Sequence, residues 1–399
     1  MKTRSIVILY YIISALSAGS MGFIMGVYSN FLRSAGLDEF WVHAVNVSYF
    51  VVIAICEIPT GIFADIFGRK GSFVISCFLE TISFLIYGFS RSFGGFVLAE
   101  TVGAVGKTFS SGAFDAWLVD SIKHTGEEHD LLKIFSRRGL ISRVAVIVSS
   151  IIGGYIADYG MNLPFFAGSI VFFICGIIAV IFMKETYFEK SKFSFADGFK
   201  EIKNTWNKSI IFTKSDRNFR FVLIMCSMQM FAVMAPNMGW QKVFLNLGFS
   251  NSANGIIGAL ISVAIIVGII LSRKVQNYVI GEKRLVVFIQ ILIGASIALT
   301  VSFVSIYPVL LFFFIHEIGR GMFGPVMESY TQKSITSSKE RATLSSFVSM
   351  VGHFGGALGL LTSGFIAKYA GIPLAWIVSG FILVIVVLFI GGNHNKDKG

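Results

Sequence analysis

Ionisable side chains inside long apolar segments are the residues of this sequence with the clearest chemical potential. A charge at the depth of a lipid bilayer is costly, so such residues usually face the interior of a helix bundle and bind protons, ions or solutes there. The alternative is a structural ion pair or a hydrogen bond between helices. Together with two neutral polar residues, this set is Glu57, Lys107, Asp115, Gln229, Asn237, His316, Glu317, Arg320 and His353.

Glu317 and Arg320 form the most informative group. Residues three apart in a helix share one face, so these two side chains can pair. His316 points about 100° away around the same helix and titrates in a useful pH range. Two interpretations stay open: Glu317 gains and loses a proton during function, or the pair is a fixed link. Glu57 has a similar alternative, as a proton or solute site or as a structural partner for the charged residues two turns further on.

The sequence lacks the residue clusters that enzymes need. It contains no compact Ser/His/Asp arrangement and no G-x-x-x-x-G-K-[ST] nucleotide loop. The four cysteines all lie in apolar segments without metal-ligand spacing, which predicts buried, inert thiols. We therefore predict no catalytic residues, no bound metal and no cofactor.

Long apolar segments must position the polar residues. The chain of 399 residues is 55% hydrophobic and 14% charged, whereas soluble domains carry roughly 25% charged residues. A transmembrane helix needs about 20 apolar residues, and we predict twelve such spans, the fourth being the weakest because it is the most charged. The spans are 5–32, 41–64, 72–90, 93–121, 138–159, 163–183, 217–246, 253–273, 285–304, 307–332, 343–368 and 372–392.

The distribution of Lys and Arg predicts the orientation of the chain. Cytoplasmic loops of membrane proteins are enriched in these residues. Here they concentrate near both termini, in the segment 184–216 and in alternate loops, whereas the other loops hold only Arg33, Arg91 and Lys368. Both termini are therefore predicted to be cytoplasmic, with the protein in the cell (inner or plasma) membrane. On this interpretation the net charge of +11 reflects topology, and nucleic acid is not expected as a partner.

The polar segment 184–216 divides the predicted spans into two sets of six. A weak internal repeat supports this division, because Gly-Tyr-Ile-Ala-Asp-Tyr at 154–159 is matched by Gly-Phe-Ile-Ala-Lys-Tyr at 364–369. Apolar residues recur at helical spacing within the polar segment, which predicts an amphipathic helix on the inner leaflet. The predicted domains are an N-terminal six-helix bundle at 1–183, a cytoplasmic linker at 184–216, a C-terminal six-helix bundle at 217–392 and a cytoplasmic tail at 393–399.

The most specific motif lies between the second and third predicted spans and reads Gly61-Ile-Phe-Ala-Asp65-Ile-Phe-Gly68-Arg69-Lys70. Gly61 allows a neighbouring helix to approach closely, and Gly68 permits the backbone to reverse. Arg69 and Lys70 stay in water, where they can pair with acids from other helices. At every defining position the segment resembles the signature loop of the major facilitator superfamily, G-x-x-x-D-x-x-G-R-[KR].

This resemblance implies an all-α membrane protein with twelve transmembrane helices in two pseudo-symmetric six-helix bundles. It also implies a cytoplasmic gate in which Asp65 is held by a helix N-terminus and nearby basic residues. Arg341, just before the eleventh predicted span, and Asp120, at the inner end of the fourth, are the expected further members. The alternative is that Arg69 and Lys70 only anchor the loop on the cytoplasmic side.

The chain departs from the family pattern in three places. The second copy of the loop, at 271–284, keeps basic residues and a glycine but lacks an acid at the position of the motif's Asp, which predicts an asymmetric gate. Glu100 lies where the family often has an Arg. Gly153 and Gly154 only hint at a motif of many drug antiporters.

The resemblance implies a secondary transporter that works by alternating access and is driven by an ion gradient, expected to be protons. Aromatic-rich spans, membrane acids and a general likeness to bacterial efflux members favour export of small drug-like or amphiphilic organic compounds by a monomer. The main alternative is uptake of a sugar, an amino acid or an organic anion, the last favoured by Lys107 with Arg320. A membrane receptor or scaffold without transport activity is the alternative from another class.

Overall fold

The computed structural model describes residues 3–125, 130–185, 209–276, 281–335 and 341–392. These residues contain helices and no strand, and eleven of the helices are long and apolar enough to cross a membrane. The predicted all-α membrane class is therefore confirmed. The helices are α1 (Thr3–Gly22), α2 (Tyr28–Ser34), α3 (Glu39–Phe67), α4 (Arg69–Phe89), α5 (Phe93–Ser110), α6 (Ala113–Thr125), α7 (Leu131–Ala157), α8 (Leu163–Phe182), α9 (209–215), α10 (Arg217–Asn246), α11 (Asn251–Gln276), α12 (Glu282–Thr300), α13 (Ile306–Ser334), α14 (Arg341–Ala370) and α15 (Ile372–Gly392).

The first and fourth predicted spans are each divided in the structure. The chain turns at 23–27 between α1 and α2. It turns again between α5 and α6, where Gly112 has a φ of 74°, a conformation that glycine adopts without strain. Neither α5 nor α6 is among the eleven helices that are long and apolar enough to cross a membrane. The prediction of one continuous helix at 93–121 was wrong, because hydropathy summed over a window does not detect a local change in backbone direction.

Large apolar side chains cover the outside of the long helices. Ile170 and Phe173 on α8 and Phe381 and Phe389 on α15 are all exposed. In water a surface of this kind would drive aggregation. Lipid is therefore the solvent that suits these faces, as the low charge content of the sequence predicts.

The chain divides into two compact units. The first comprises Met1–Gly36, Val51–Ile202 and Gly248–Leu260, and the second comprises Leu37–Phe50, Lys203–Leu247 and Ile261–Gly399. The first unit thus consists mainly of the N-terminal half of the chain but includes Gly248–Leu260, and the second consists mainly of the C-terminal half but includes Leu37–Phe50. The domain boundaries that we derived from the sequence stay a prediction, and the amphipathic helix expected in the linker, like the tail at 393–399, falls outside the residues that the structure describes.

The core of the first unit is built around α1 and α4. The helix α1 packs on α7 and α8, and α4 packs on α5 and α8. Phe114 lies between Tyr10 and Phe73, with ring centroids 4.7 Å and 4.4 Å away. Gly153 of α7 lies so close to the turn after α1 that a Cβ atom there would be 2.0 Å from the carbonyl oxygen of Phe23. Glycine is therefore required for this helix contact.

In the second unit, α10 packs on α14 and α15, and α12 packs on α13 and α15. The contact between α12 and α15 is again a backbone contact. A Cβ atom on Gly380 would lie 2.3 Å from the carbonyl oxygen of Gly294. Helices in lipid are not driven together by the hydrophobic effect. Close packing through small residues holds them together instead.

We predict that Gly153→Ala destabilises the protein, because the added methyl group would meet backbone atoms, which cannot move aside as a flexible side chain can. Overpacking of this kind costs about 1–3 kcal/mol. Gly139→Ala in the same helix is the matched control, since no atom of the described residues lies within 4 Å of its Cβ position, and it should be neutral or slightly stabilising. The melting temperatures of the purified variants in detergent test this prediction, and equal values would contradict it.

Candidate functional site

The signature loop joins α3 to α4 through one glycine. The helix α3 ends at Phe67, Gly68 has a φ of 99°, and α4 begins at Arg69. This is the left-handed region that favours glycine, in agreement with the backbone reversal predicted at Gly68. Among the residues that the structure describes, no atom lies within 4 Å of the Gly61 Cβ position, so the close neighbour expected there stays a prediction.

A carboxylate that the sequence did not reveal holds the start of α4. Glu185, just beyond α8, accepts hydrogen bonds from the backbone N–H groups of Arg69 at 2.8 Å and Lys70 at 3.0 Å. These groups have no partner within their own helix, and the helix dipole also favours an anion at this end. A Cβ atom on Gly68 would lie 2.7 Å from Glu185 Oε2, so the glycine also makes room for the carboxylate.

Arg69 and Lys70 each reach a second helix. The Arg69 guanidinium forms an ion pair with Asp120 of α6, which joins two residues of the predicted gate. The Lys70 ammonium donates a hydrogen bond to the carbonyl oxygen of Val180 in α8 at 2.8 Å. The loop is thereby tied to two other helices of the first unit, although a partly exposed ion pair contributes only about 0.2–1 kcal/mol.

Asp65, the expected centre of the gate, is exposed. Among the residues that the structure describes, its carboxylate makes no hydrogen bond or ion pair. Arg341 is the first residue of α14, but its side chain lies outside the described part of the chain. A contact of Asp65 with the start of the eleventh span therefore stays a prediction.

The second copy of the loop starts its helix in the same way as the first. Gly281 has a φ of 93° and directly precedes α12, as Gly68 precedes α4. The next residue, Glu282, accepts a hydrogen bond on Oε1 from the Lys333 ammonium of α13 at 2.7 Å. In the first loop the residue after the glycine is the cation of an ion pair, and in the second it is the anion. The two loops therefore share a backbone geometry and have ion pairs of opposite polarity.

Asp115, predicted as a cavity residue, is held by two other helices of the first unit. Its Oδ1 accepts hydrogen bonds from the Tyr10 hydroxyl and from Arg138 Nη1, both at 2.7 Å. The Arg138 guanidinium also lies 5.4 Å from the centre of the Tyr10 ring and 5.9 Å from that of Phe114. The network joins α1, α6 and α7, and the predicted cavity role of Asp115 stays a prediction.

In the second unit the structure brings together four of the predicted residues. Arg320 Nη1 lies 3.0 Å and 3.1 Å from the two carboxylate oxygens of Glu317 and 3.0 Å from Asn237 Oδ1. Glu317 and His316 are 2% and 1% exposed, and His316 Nδ1 lies 3.5 Å from Glu317 Oε1. The Glu317 carboxylate is thus buried next to the Arg320 guanidinium, which also donates a hydrogen bond to Asn237.

The other predicted residues lie elsewhere. Lys107 is exposed, and Glu57 is half-buried without a side-chain hydrogen bond among the described residues. The His353 ring lies 5.7 Å from that of Phe50. Gln229 is buried, and within the described ranges its Oε1 has no hydrogen-bond partner.

Two further carboxylates lie between α4 and α5. Glu80 is 4% exposed and packs against Gly106, with its Cγ 3.3 Å from the Cβ position of that glycine. Glu100 accepts hydrogen bonds on Oε1 from the hydroxyls of Tyr28 at 2.6 Å and Tyr87 at 2.5 Å. Neither Glu80 nor Glu100 is among the site residues predicted from the sequence. An acid inside an apolar span is the signal that could have found both.

Outside the spans, Asp38 links the turn before α3 to α14. Its Oδ2 lies 2.9 Å from Lys368 Nζ, and its Oδ1 accepts a hydrogen bond from the Trp41 N–H at 3.1 Å. Desolvation raises the pKa of Asp38, but the hydrogen bonds from Lys368 and Trp41 outweigh it, so the pKa lies below its ordinary value. The carboxylate is therefore ionised at neutral pH, and the link is lost only when the pH falls through this lowered pKa.

Comparison with known proteins agrees with this geometry. The sequence model of the Major Facilitator Superfamily matches residues 10–239 and 220–398. The chain therefore belongs to this superfamily, as the signature loop indicates. It is a multi-pass membrane transporter for a small molecule and not an enzyme, because that is the activity of the family and of the relatives below.

The relatives are distant in sequence and similar in fold. An uncharacterized MFS-type transporter, YxaM of Bacillus subtilis (strain 168), is 24% identical over 98% of this chain and 96% of the relative. Multidrug resistance protein 2 of the same strain is 24% identical over 71% of this chain and 69% of its own length. Among solved structures, the nucleoside transporter NupG aligns with a TM-score of 0.78 at 13% identity, covering 98% of this chain and 99% of that chain. A D-xylose-proton symporter aligns with a TM-score of 0.70 at 16% identity, covering 98% and 97%.

We predict that Glu185→Gln lowers the free energy of unfolding, because a neutral amide is a weaker acceptor than a carboxylate at the start of α4. Loss of a cap and of the anion at a helix N-terminus costs about 0.5–2 kcal/mol. Glu57→Gln is the matched control, since it removes the charge of a half-buried acid that makes no such contact with any residue that the structure describes. Thermal unfolding in detergent should show the larger loss for Glu185→Gln, and an equal loss in both variants would contradict its anchoring role.

Proposed function

We propose that the protein exports small drug-like or amphiphilic organic compounds by alternating access, in exchange for protons. The observation that carries this proposal is the buried Glu317, whose partner Arg320 also donates to Asn237. Relatives named multidrug resistance proteins support export and the class of compound. The proposed partners are the substrate, protons and the lipid bilayer of the cell membrane, with one chain as the working unit.

Proton coupling uses the arrangement around Glu317. Removing one member of a buried ion pair is normally costly, because it leaves the other charge without compensation. When Glu317 takes up a proton, Arg320 keeps its hydrogen bond to Asn237, so this cost is reduced. Protonation then changes the charge of the site by one unit without breaking its geometry. Proton binding can then shift the equilibrium between two conformations. Shifting a population ratio from 1:99 to 99:1 requires a difference in binding free energy of about 5.5 kcal/mol between the two conformations.

The gate on the cytoplasmic side is the signature loop, with both termini on that side. Glu185, Arg69 and Asp120 fix the loop within the first unit, while the exposed Asp65 is available for a further contact. Closure would place Asp65 at the N-terminus of α14. An anion at a helix N-terminus gains about 0.3–1 kcal/mol when exposed, which is strong enough to bias the gate and weak enough to be broken in each cycle.

Uptake of an anionic or neutral solute is the second candidate function. The exposed Lys107 on α5 and the Arg320 guanidinium are the cationic groups that favour an anion. The aligned structures include a D-xylose-proton symporter. The direction of flux relative to an imposed proton gradient separates this candidate from export.

The test is flux in liposomes that contain the purified protein, with a compound found by thermal-shift screening. We predict that Glu317→Gln abolishes flux driven by a pH gradient but spares exchange of the compound across the membrane, because the neutral side chain cannot carry a proton. Glu328→Gln in the same helix is the matched control: this exposed acid is hydrogen-bonded to Gln332, and its replacement should leave driven flux unchanged.

Three results would contradict parts of this proposal. No flux of any compound that binds would overturn export. Compound movement in the same direction as protons would favour uptake by symport. Unchanged driven flux in Glu317→Gln would remove that residue from proton coupling.

A further inference from the structure

We propose that Glu100, together with the hydroxyls of Tyr28 and Tyr87, is a recognition site for an organic cation. The inference rests on the proposed function and deepens it, because it names the class of compound that the protein would carry: an amphiphilic molecule with a permanent positive charge or a protonated amine. All three residues belong to the first unit. They come from α2, α4 and α5, so only the fold brings them together.

The carboxylate of Glu100 is satisfied on one side only. Its Oε1 accepts hydrogen bonds from both tyrosine hydroxyls, which lie 3.0 Å from each other. Its Oε2 accepts no hydrogen bond, and the carboxylate has no Lys, Arg or His partner among the described residues. Hydroxyls provide dipoles but no charge. An anion at this depth in a membrane therefore still needs a cation, and one oxygen is available to bind it.

The walls of the site suit an organic cation. The Tyr87 ring stacks on Phe165 and Phe96, with centroids 5.2 Å and 5.8 Å away, and the Tyr28 ring meets it edge-on at 5.7 Å. Tyr87 is 4% exposed, whereas Tyr28 and Glu100 are half-buried. The two partly accessible residues of the site are thus an acid and a tyrosine, Glu100 and Tyr28. Aromatic faces attract cations, most strongly where water is excluded.

The described residues around Glu100 leave its negative charge without a neighbouring positive charge. The lysine of the same helix, Lys107, lies seven residues away, which is two turns or about 10 Å along α5. It is exposed and forms no ion pair with Glu100. An Arg at position 100, which the family often has, would attract an anion. The acid found here reverses that preference.

The experiment measures equilibrium binding of two probes to the full-length protein in detergent. Tetraphenylphosphonium is a permanent organic cation, and triphenylphosphine oxide is a neutral compound with similar aromatic groups. Glu100→Gln removes the charge and keeps an acceptor for both tyrosine hydroxyls. We expect this variant to bind tetraphenylphosphonium at least about tenfold more weakly and to bind the neutral probe as the wild type does. Glu328→Gln is the matched control and should bind both probes normally.

Several outcomes would overturn the inference. These are no binding of tetraphenylphosphonium by the wild type, normal binding by Glu100→Gln, and equal weakening of both probes, which would assign Glu100 a purely structural role. Normal cation binding by Glu100→Gln together with loss of pH-driven flux would assign Glu100 to the proton instead. If Glu100→Gln does not fold, Glu100→Asp replaces it: the retained charge must preserve the preference for the cation. Binding is measured in detergent without a proton gradient. The result therefore does not depend on whether the protein exports the compound.

Discussion

The hydrocarbon core of a bilayer offers no hydrogen-bond partners, so every backbone polar group in the spans must find its partner inside the protein. This constraint explains why the described membrane-spanning segments are helices, in which each segment forms its own backbone hydrogen bonds. The cost of a charge in lipid likewise explains why acids in membrane spans are usually paired with basic residues. Asp115 is held by Tyr10 and Arg138, and Glu317 by Arg320. Against this background, an acid that lacks a counter-charge is an exception that calls for a functional explanation.

The two loops that follow a positive-φ glycine show how the same constraint acts at helix ends. An anion is favourable in the first turn of a helix, and a cation is unfavourable there. In α12 the first residue is Glu282, which meets this preference itself. In α4 the first residue is Arg69, and Glu185 comes from beyond α8 to supply the missing anion. The reversed polarity of the second loop and the presence of Glu185 at the first are therefore two solutions of one electrostatic problem.

The sequence predicted what depends on local pattern. Apolar segments predicted the long helices, a glycine in the signature loop predicted its backbone reversal, and a spacing of three predicted the pairing of Glu317 with Arg320. It did not predict the partners of Asp115, the position of Glu185 or the meeting of Tyr28 with Glu100. Those contacts join residues far apart in the chain, and no local periodicity encodes them. The break between α5 and α6 was missed for a different reason, because a glycine with positive φ changes backbone direction without changing hydropathy.

Glu317 and Glu100 differ in how their charge is compensated, and this difference suggests how exchange would be coupled. Glu317 has an internal cation, so a proton can neutralise it while Arg320 keeps Asn237 as a partner. Among the described residues Glu100 has only hydroxyl donors, so in the proposed cycle its counter-charge comes from the transported compound. In the proposed cycle a proton serves the first acid and an organic cation the second. A ligand shifts a conformational equilibrium only through its different affinities for the two states. Coupling then requires that the ionised form of each acid is more stable in one conformation than in the other. The proton must also change the affinity for the organic cation by the same factor by which the cation changes the affinity for the proton.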